Sequence, residues 1–174
     1  SRPNCGEVYQ FPGSSIRIEG LTISGTGTSE GDIFSGSGTV FLSVNIVKNP
    51  DASAIDKVNI TLDPGGRSIV LSYADDVFTI LNDPFSTIHM DLDESTFSTT
   101  LNRARVTFAF DTTLFFDLPK RPLVLVNVST EGGEELQRIF EDPFESHNDI
   151  QLTGELEVGI VDGRVQTGND WFKP

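Results

Sequence analysis

Apolar and polar residues alternate along most of the chain. A period of two places neighbouring side chains on opposite faces of a β-strand, so the pattern predicts strands with one buried face. The predicted inward positions are Ile16, Ile18, Leu21 and Ile23; Val40, Leu42, Val44 and Ile46; Val58, Ile60 and Leu62; Ile88, Met90 and Leu92; Val106, Phe108 and Phe110; Val124, Val126 and Val128; and Leu156, Val158 and Ile160. The runs 69–71 and 114–116 are apolar throughout, which is typical of strands covered on both faces.

Turn-forming residues separate these stretches. Proline presets a turn dihedral and glycine accepts a positive φ, so pairs that contain them mark the ends of strands. Such pairs predict about ten to twelve short strands, and they are Asn49-Pro50, Asp63-Pro64, Gly65-Gly66, Asp83-Pro84, Gly132-Gly133, Asp142-Pro143 and Asp162-Gly163. Only 134–140 has the three-to-four spacing of a helix, and it is too short to be stable alone. We therefore expect at most one short helical turn.

The predicted fold is one all-β domain over 1–174, with 1–14 as an irregular N-terminal arm. A chain of 174 residues is long enough to bury a core as one unit. Strands that no crossover helices connect pair largely antiparallel. An antiparallel β-sandwich of jelly-roll type is our first prediction, because two packed layers bury one face of each sheet, and a barrel is the second.

Glycine punctuates the N-terminal third of the chain. Gly20 interrupts an alternating stretch and predicts a bulge or bend. Five glycines lie within 25–38, interleaved with serine and threonine. This segment lacks the Gly-Lys-Ser/Thr ending of a phosphate-binding loop. It predicts a hairpin or a glycine-kinked strand pair, with a backbone-lined ligand site as the alternative.

The charge of the chain limits its partners. Twelve Lys and Arg against 26 Asp and Glu give a net charge of −14. Binding to nucleic acid or to anionic lipid needs basic residues that neutralise phosphates, so neither is an expected partner. Cations and basic proteins suit the field of an acidic chain better. A protein or carbohydrate partner, or a second copy of the chain, remains open.

Composition also bears on the compartment. Cys5 is the single cysteine, so the chain has no internal disulfide. No apolar stretch approaches the roughly 20 residues that span a bilayer, and the first residues have no signal-peptide core. We expect a soluble protein, with an extracellular or virion location favoured.

The two histidines lead to the candidate metal site. His89, Asp91 and Asp93 occupy alternate positions, which places them on one face of a strand, and His147 and Asp149 repeat the first spacing. If all five converge, they could bind a divalent cation, and an oxygen-rich set would favour Ca²⁺ or Mn²⁺. The alternative is that they are the outward polar positions of ordinary strands. No other cofactor is expected.

Two short motifs recur in the chain. Val58-Asn59-Ile60-Thr61 resembles Val126-Asn127-Val128-Ser129, and both contain an N-glycosylation sequon. An Asp-Pro-Phe turn then precedes each histidine, at 83–85 and at 142–144. The offsets of the two motifs differ, so chance similarity between β-rich segments competes with an internal duplication.

Three functions remain open from the sequence alone. The first hypothesis is a non-enzymatic binding or assembly module of the surface, virion, adhesin or accessory type, since loops rich in Ser, Thr, Asn and Gly commonly carry binding. The second is a small β-fold hydrolase or isomerase that uses His89 or His147 with a carboxylate. The third is a structural domain stabilised by a cation. The sequence has no Gly-x-Ser-x-Gly nucleophile motif, so we do not favour an enzyme.

Overall fold

A computed structural model describes residues 15–148, which form three β-sheets and one 3₁₀ turn at Ala52–Ala54. The strands are β1 (Ile16–Ser24), β2 (Thr28–Ser29), β3 (Asp32–Phe34), β4 (Thr39–Lys48), β5 (Ile55–Leu62), β6 (Ile69–Ala74), β7 (Val77–Asn82), β8 (Ile88–Met90), β9 (Thr96–Thr100), β10 (Arg103–Thr112), β11 (Val124–Thr130), β12 (Glu135–Phe140) and β13 (Ser146–His147). The sequence positions 149–174, which include the stretch Leu156, Val158 and Ile160, lie outside the described residues, as does 1–14.

Two five-stranded sheets form the body of the domain. The first has the order β1-β4-β10-β8, with β9 also paired to β10, and the second has the order β12-β11-β5-β6-β7. One hydrophobic core contains buried side chains from both sheets, including Leu42 and Phe108 from the first and Ile60 and Val126 from the second. The prediction of an all-β antiparallel sandwich is confirmed, and the sheets of residues 15–148 do not close into a barrel.

A third, smaller sheet has the order β13-β3-β2. Its β3–β13 pair is parallel, whereas its β2–β3 pair is a short hairpin within the glycine-rich segment 25–38. The predicted hairpin is therefore present. The register of β1 against β4 shifts between Ile18 and Gly20, which confirms the predicted bulge.

Segment 134–140 contains strand β12 and not the helical turn that its spacing suggested. Strand β12 pairs with β11 at six successive positions, and this ladder supplies the hydrogen bonds that an isolated helical turn would have lacked. Arg138 extends from β12 to the first sheet, where its Nη1 donates to the backbone oxygen of Ile18 at 2.6 Å. Its guanidinium also lies over the ring of Phe140, 4.4 Å from the centroid.

Segment 114–116 is not the strand that its apolar run predicted. It lies in the loop between β10 and β11, where Phe116 is buried and Leu114 and Phe115 are exposed. The described residues contain thirteen strands instead of ten to twelve. The excess comes from two-residue strands such as β2 and β13, which are too short to show alternation.

The strand directions place the two Asp-Pro-Phe turns at one end of the second sheet. All pairs in this sheet are antiparallel, so its two edge strands, β7 and β12, run in the same direction. The turn 83–85 follows β7 and the turn 142–144 follows β12. Residues 15–148 contain no α-helix, and therefore no helix long and apolar enough to cross a membrane.

Candidate functional site

The predicted ligands His89, Asp91 and Asp93 lie around the end of β8. His89 is exposed and lies opposite Asp111 of β10, but the strand ends at Met90. Asp91 Oδ1 accepts hydrogen bonds from the backbone nitrogens of Asp93 at 3.1 Å and Glu94 at 3.2 Å. This carboxylate therefore holds a turn, a common role for aspartate in loops.

His147 lies in a different sheet from His89. It belongs to β13, which pairs with β3, whereas His89 belongs to β8 in the first large sheet. Within residues 15–148, one group of three metal-ligating side chains lies close enough to share an ion, and it consists of Asp32, Glu145 and His147. His89 is not part of this group, and Asp149 lies outside the described residues. We call this group the β3–β13 cluster.

The parallel pairing of β3 with β13 assembles the cluster. Ser146 lies opposite Ile33, and His147 lies opposite Phe34. Because Ser146 and Ile33 are buried, their chain neighbours lie on the other face, and these are Asp32, Phe34, Glu145 and His147. His147 Nε2 lies 3.5 Å from Glu145 Oε1 and 3.6 Å from Asp32 Oδ2. The imidazole stacks on the ring of Phe34, with centroids 4.5 Å apart and planes 9° from parallel. The stacking fixes the plane in which Nε2 points.

Each carboxylate in the cluster is held by its other oxygen. Asp32 Oδ1 accepts from the backbone nitrogen of Glu145 at 2.9 Å. Glu145 Oε2 accepts from the guanidinium of Arg121, whose Nε and Nη2 both lie at 3.4 Å. The oxygens that face His147 are therefore Asp32 Oδ2 and Glu145 Oε1. Lys120 Nζ lies 3.9 Å from this same glutamate oxygen.

A second feature is an apolar groove next to the cluster, which we call the Phe85–Phe115 groove. Its volume is about 510 Å³ and it is lined by Arg67, Phe85, Leu114, Phe115, Asp117 and Asn148. Phe85 is 64 % exposed, Leu114 54 % and Phe115 72 %. Adjoining exposed apolar side chains that are bordered by polar groups are a common feature of binding surfaces.

The loop 113–118 is fixed from below. The ring of Phe116 is buried in the core, and its backbone oxygen accepts from Ser35 Oγ at 2.5 Å and from Asn148 Nδ2 at 3.2 Å. Gly36 lies so close that a Cβ there would come within 2.6 Å of the Leu114 side chain. Residues that directly follow β3 and β13 thus support the groove.

Polar contacts close one side of the groove. Arg67 Nη2 lies 3.3 Å from Asp117 Oδ2, and its guanidinium lies over the Phe85 ring, 5.0 Å from the centroid. The Arg67 backbone nitrogen donates to Asp63 Oδ2 at 2.8 Å, within the turn between β5 and β6. The arginine is therefore oriented by a turn, an aromatic ring and a carboxylate.

Glu19 forms exposed ion pairs with Arg17 and Arg103 on the first sheet. Glu19 accepts from Arg17 Nη2 at 3.0 Å and from Arg103 Nη1 at 2.9 Å. These two hydrogen bonds, in this order of weight, lower the pKa of the Glu19 carboxyl. Both arginines are more than half exposed, and exposed pairs of this kind contribute little to stability.

The sequence pointed to His147 but missed its two carboxylate neighbours. Glu145 precedes His147 by two residues, which is the same spacing that drew attention to His89 and Asp91, so alternation could have found it. Asp32 lies 113 residues from Glu145 in the chain. Only the parallel pairing of two very short strands brings it there, and no pattern in the sequence signals that pairing.

Comparison with known proteins assigns the chain to no family. No family model matches it, and no curated protein matches it significantly.

Proposed function

We propose that this domain is a non-enzymatic binding module and that the Phe85–Phe115 groove is its contact surface. The observation that carries the proposal is the exposure of three large apolar side chains around one groove. Six other large apolar side chains of residues 15–148 are exposed, and none of them lines this groove. Aromatic and arginine side chains are the types that most often dominate binding energy at protein interfaces.

The partner that fits this surface is a basic polypeptide segment with an aromatic or aliphatic side chain. The apolar lining suits burial of such a side chain, and Arg67 and Asp117 can orient backbone or polar groups at the rim. The net charge of −14 favours the approach of a positively charged partner over long distances. The same charge opposes association between two copies of the chain.

Selection from a peptide library tests this proposal without a known partner. Random peptides displayed on phage are selected on the wild-type chain, and the dissociation constants of the recovered peptides are measured in solution. We expect basic peptides with a large apolar residue. Phe85→Ser and Phe115→Ser should each weaken binding at least tenfold, as is usual for a central interface residue.

The matched control is Leu92→Ser. Leu92 is 62 % exposed, similar to Phe85, but it does not line the groove. The control should leave binding unchanged. Recovery of no binding peptides, or of peptides whose affinity survives both Phe variants, would overturn the proposal. Concentration-dependent dimerisation that the Phe variants abolish would replace the basic partner with a second copy.

A further inference from the structure

We propose that Asp32, Glu145 and His147 bind one Zn²⁺ ion, which joins β13 to β3. The site differs from the five residues that the sequence suggested, and it shares with them only His147. Zinc binding at this cluster would not require a partner in the Phe85–Phe115 groove.

Two separations within the β3–β13 cluster match those between ligands of one ion, and all the candidate ligand atoms lie within 4.8 Å of one another. Zinc binds histidine nitrogen and carboxylate oxygen at about 2.0–2.2 Å, so two ligands at a tetrahedral angle lie about 3.4 Å apart. His147 Nε2 lies 3.5 Å from one carboxylate oxygen and 3.6 Å from the other. These distances are longer than a short charge-assisted hydrogen bond, which falls near 2.7–2.9 Å. A small adjustment of the side chains would centre an ion between the three atoms.

The surroundings of the cluster resemble the outer shell of a metal site. Ligating carboxylates are usually hydrogen-bonded through their second oxygen, which fixes the first oxygen towards the ion. The backbone nitrogen of Glu145 does this for Asp32, and Arg121 does it for Glu145. Stacking on Phe34 fixes the imidazole plane. All three candidate ligands are therefore oriented before an ion arrives.

The ligand set suits zinc better than the calcium that the sequence suggested. Calcium prefers six to eight oxygen ligands, whereas this set offers one imidazole nitrogen and two carboxylates. Imidazole with carboxylate suits Zn²⁺, and the side chains are 21–31 % exposed, which leaves room for water as a fourth ligand. Two carboxylates and a neutral imidazole also offset the charge of a divalent ion.

Two other features of the structure give weaker evidence for a binding site. The outer face of the second sheet is polar and broad, but nothing in the structure indicates what covers it. The pair Asp75 and Asp76, which lies in the turn between β6 and β7, supplies two carboxylates without a third ligand. Only the β3–β13 cluster combines nitrogen and oxygen ligands at ion-like spacing within residues 15–148.

The test is a Zn²⁺ titration of the full chain by calorimetry. All proteins carry Cys5→Ser, because a free thiol binds zinc by itself. The variants are Asp32→Asn, Glu145→Gln and His147→Gln. Asp32→Asn keeps an oxygen that can accept from the Glu145 backbone, so it removes the charged ligand with little change to the strand pairing. The control is His89→Gln, which removes the other histidine of the chain.

We expect one equivalent of Zn²⁺ to bind, and each cluster variant to weaken binding at least tenfold, while His89→Gln binds like the parent. Saturating Zn²⁺ should raise the melting temperature of the parent by roughly 5–10 °C at about 100 times the dissociation constant. Melting curves in EDTA verify that each variant folds, and the variants that fold decide the outcome. Absence of one-to-one binding, or equal affinity in the parent and the folded cluster variants, would falsify the proposal.

Discussion

Asn59 of β5 and Asn127 of β11 lie directly opposite each other in the second sheet. Asn127 Nδ2 donates to Glu135 Oε2 at 3.0 Å, but Asn59 Oδ1 is buried and has no hydrogen-bond partner within the described residues. The pair forms the middle of a polar row that crosses all five strands, through Thr79, Ser72, Asn59, Asn127 and Gln137. Two residues that look equivalent in the sequence therefore differ in the hydrogen bonds of their side-chain amides.

The unpaired amide oxygen of Asn59 should lower the stability of the wild-type fold. A buried acceptor without a partner costs about 1–3 kcal/mol, and valine is a better strand residue than asparagine. We expect Asn59→Val to raise the free energy of unfolding by about 1 kcal/mol, measured by urea denaturation. Asn127→Val loses the contact with Glu135 and should gain less. A lower free energy of unfolding for Asn59→Val than for the wild type would show that its amide is satisfied in solution.

Glu134 connects the two large sheets and should make stability depend on pH in the acid range. Ser15 Oγ donates to Glu134 Oε1 at 2.6 Å, and Lys48 Nζ lies 3.6 Å from the same oxygen. The hydrogen bonds from Ser15, and then the charge of Lys48, lower the pKa of this carboxyl. A lowered pKa means that the contact stabilises the fold above about pH 4.5 and that this stabilisation is lost as the pH falls further.

Glu134→Gln tests that dependence. The variant should be less stable than the wild type at pH 7, and the difference should be smaller at pH 3, where more of the carboxyl is protonated. The glutamate side chain is 41 % exposed, so solvent screening keeps the effect below about 1 kcal/mol. Urea denaturation at the two pH values measures it, and a difference that is the same at both would contradict the prediction.

Tyr73 should make stability depend on pH in the alkaline range. The residue is 4 % exposed, and its hydroxyl donates to Asp76 Oδ1 at 2.8 Å. Burial, and then the Asp76 hydrogen bond, raise the pKa of Tyr73 to about 12. Because the pKa lies near 10 in the unfolded chain, the stabilisation is complete below pH 10 and is lost between pH 10 and pH 12.

Ultraviolet titration of a Tyr9→Phe chain isolates this group, since the sequence has only two tyrosines. The remaining tyrosine should ionise near pH 12 while the chain is folded. Ionisation near pH 10 with the fold intact would mean that Tyr73 is open to water.

Lys120 should oppose metal binding at the β3–β13 cluster. Its ammonium lies 3.9 Å from the glutamate oxygen that would bind zinc, and the side chain is largely exposed. Removal of this charge by Lys120→Ala should tighten Zn²⁺ binding about two- to fivefold, which is the range of an exposed ion pair. Lys57→Ala removes an exposed charge on β5 and should have no effect. Weaker binding in Lys120→Ala would instead make the lysine a support of the site.

Phe115 and Phe116 are adjacent in the chain and should respond oppositely to truncation. Phe116 is buried in the core, so Phe116→Ala should cost about 3–5 kcal/mol of stability. Phe115 is exposed, so Phe115→Ala should stay within about 0.5 kcal/mol of the wild type. Thermal or urea unfolding measures both. A large loss in Phe115→Ala would mean that the groove is packed against another part of the chain in solution.

Alternation predicted the frame of the fold because burial imposes it directly. Val124, Val126 and Val128 are fully buried, as their spacing required, and Gly20 marks a real bulge. The pattern failed at Leu92, which was predicted inward but is exposed beyond the end of β8. It also failed at 114–116, where an apolar run is divided between the core and an exposed groove. Composition cannot distinguish an apolar residue that is buried in the core from one that is exposed on the surface.

The candidate site was harder to predict for a different reason. His147 was identified by its residue type. Asp32 lies beside it only because β3, of three residues, pairs with β13, of two residues. Pairing between such short strands depends on the surrounding loops and not on a local pattern. The spacing of His89, Asp91 and Asp93 was regular, yet β8 ends at Met90 and Asp91 serves a turn.

The contact of Arg138 with the backbone oxygen of Ile18 has a consequence for aggregation. Strand β1 is an edge of its sheet, and exposed edges can pair with the strands of other molecules. At the bulge, the guanidinium of Arg138 from the opposite sheet donates a hydrogen bond to the Ile18 carbonyl oxygen, which an incoming strand would need as an acceptor. A bulge and an inserted arginine both disturb the regular ladder that such a strand requires. The one side chain thereby joins the two layers of the sandwich and protects an edge from templated growth.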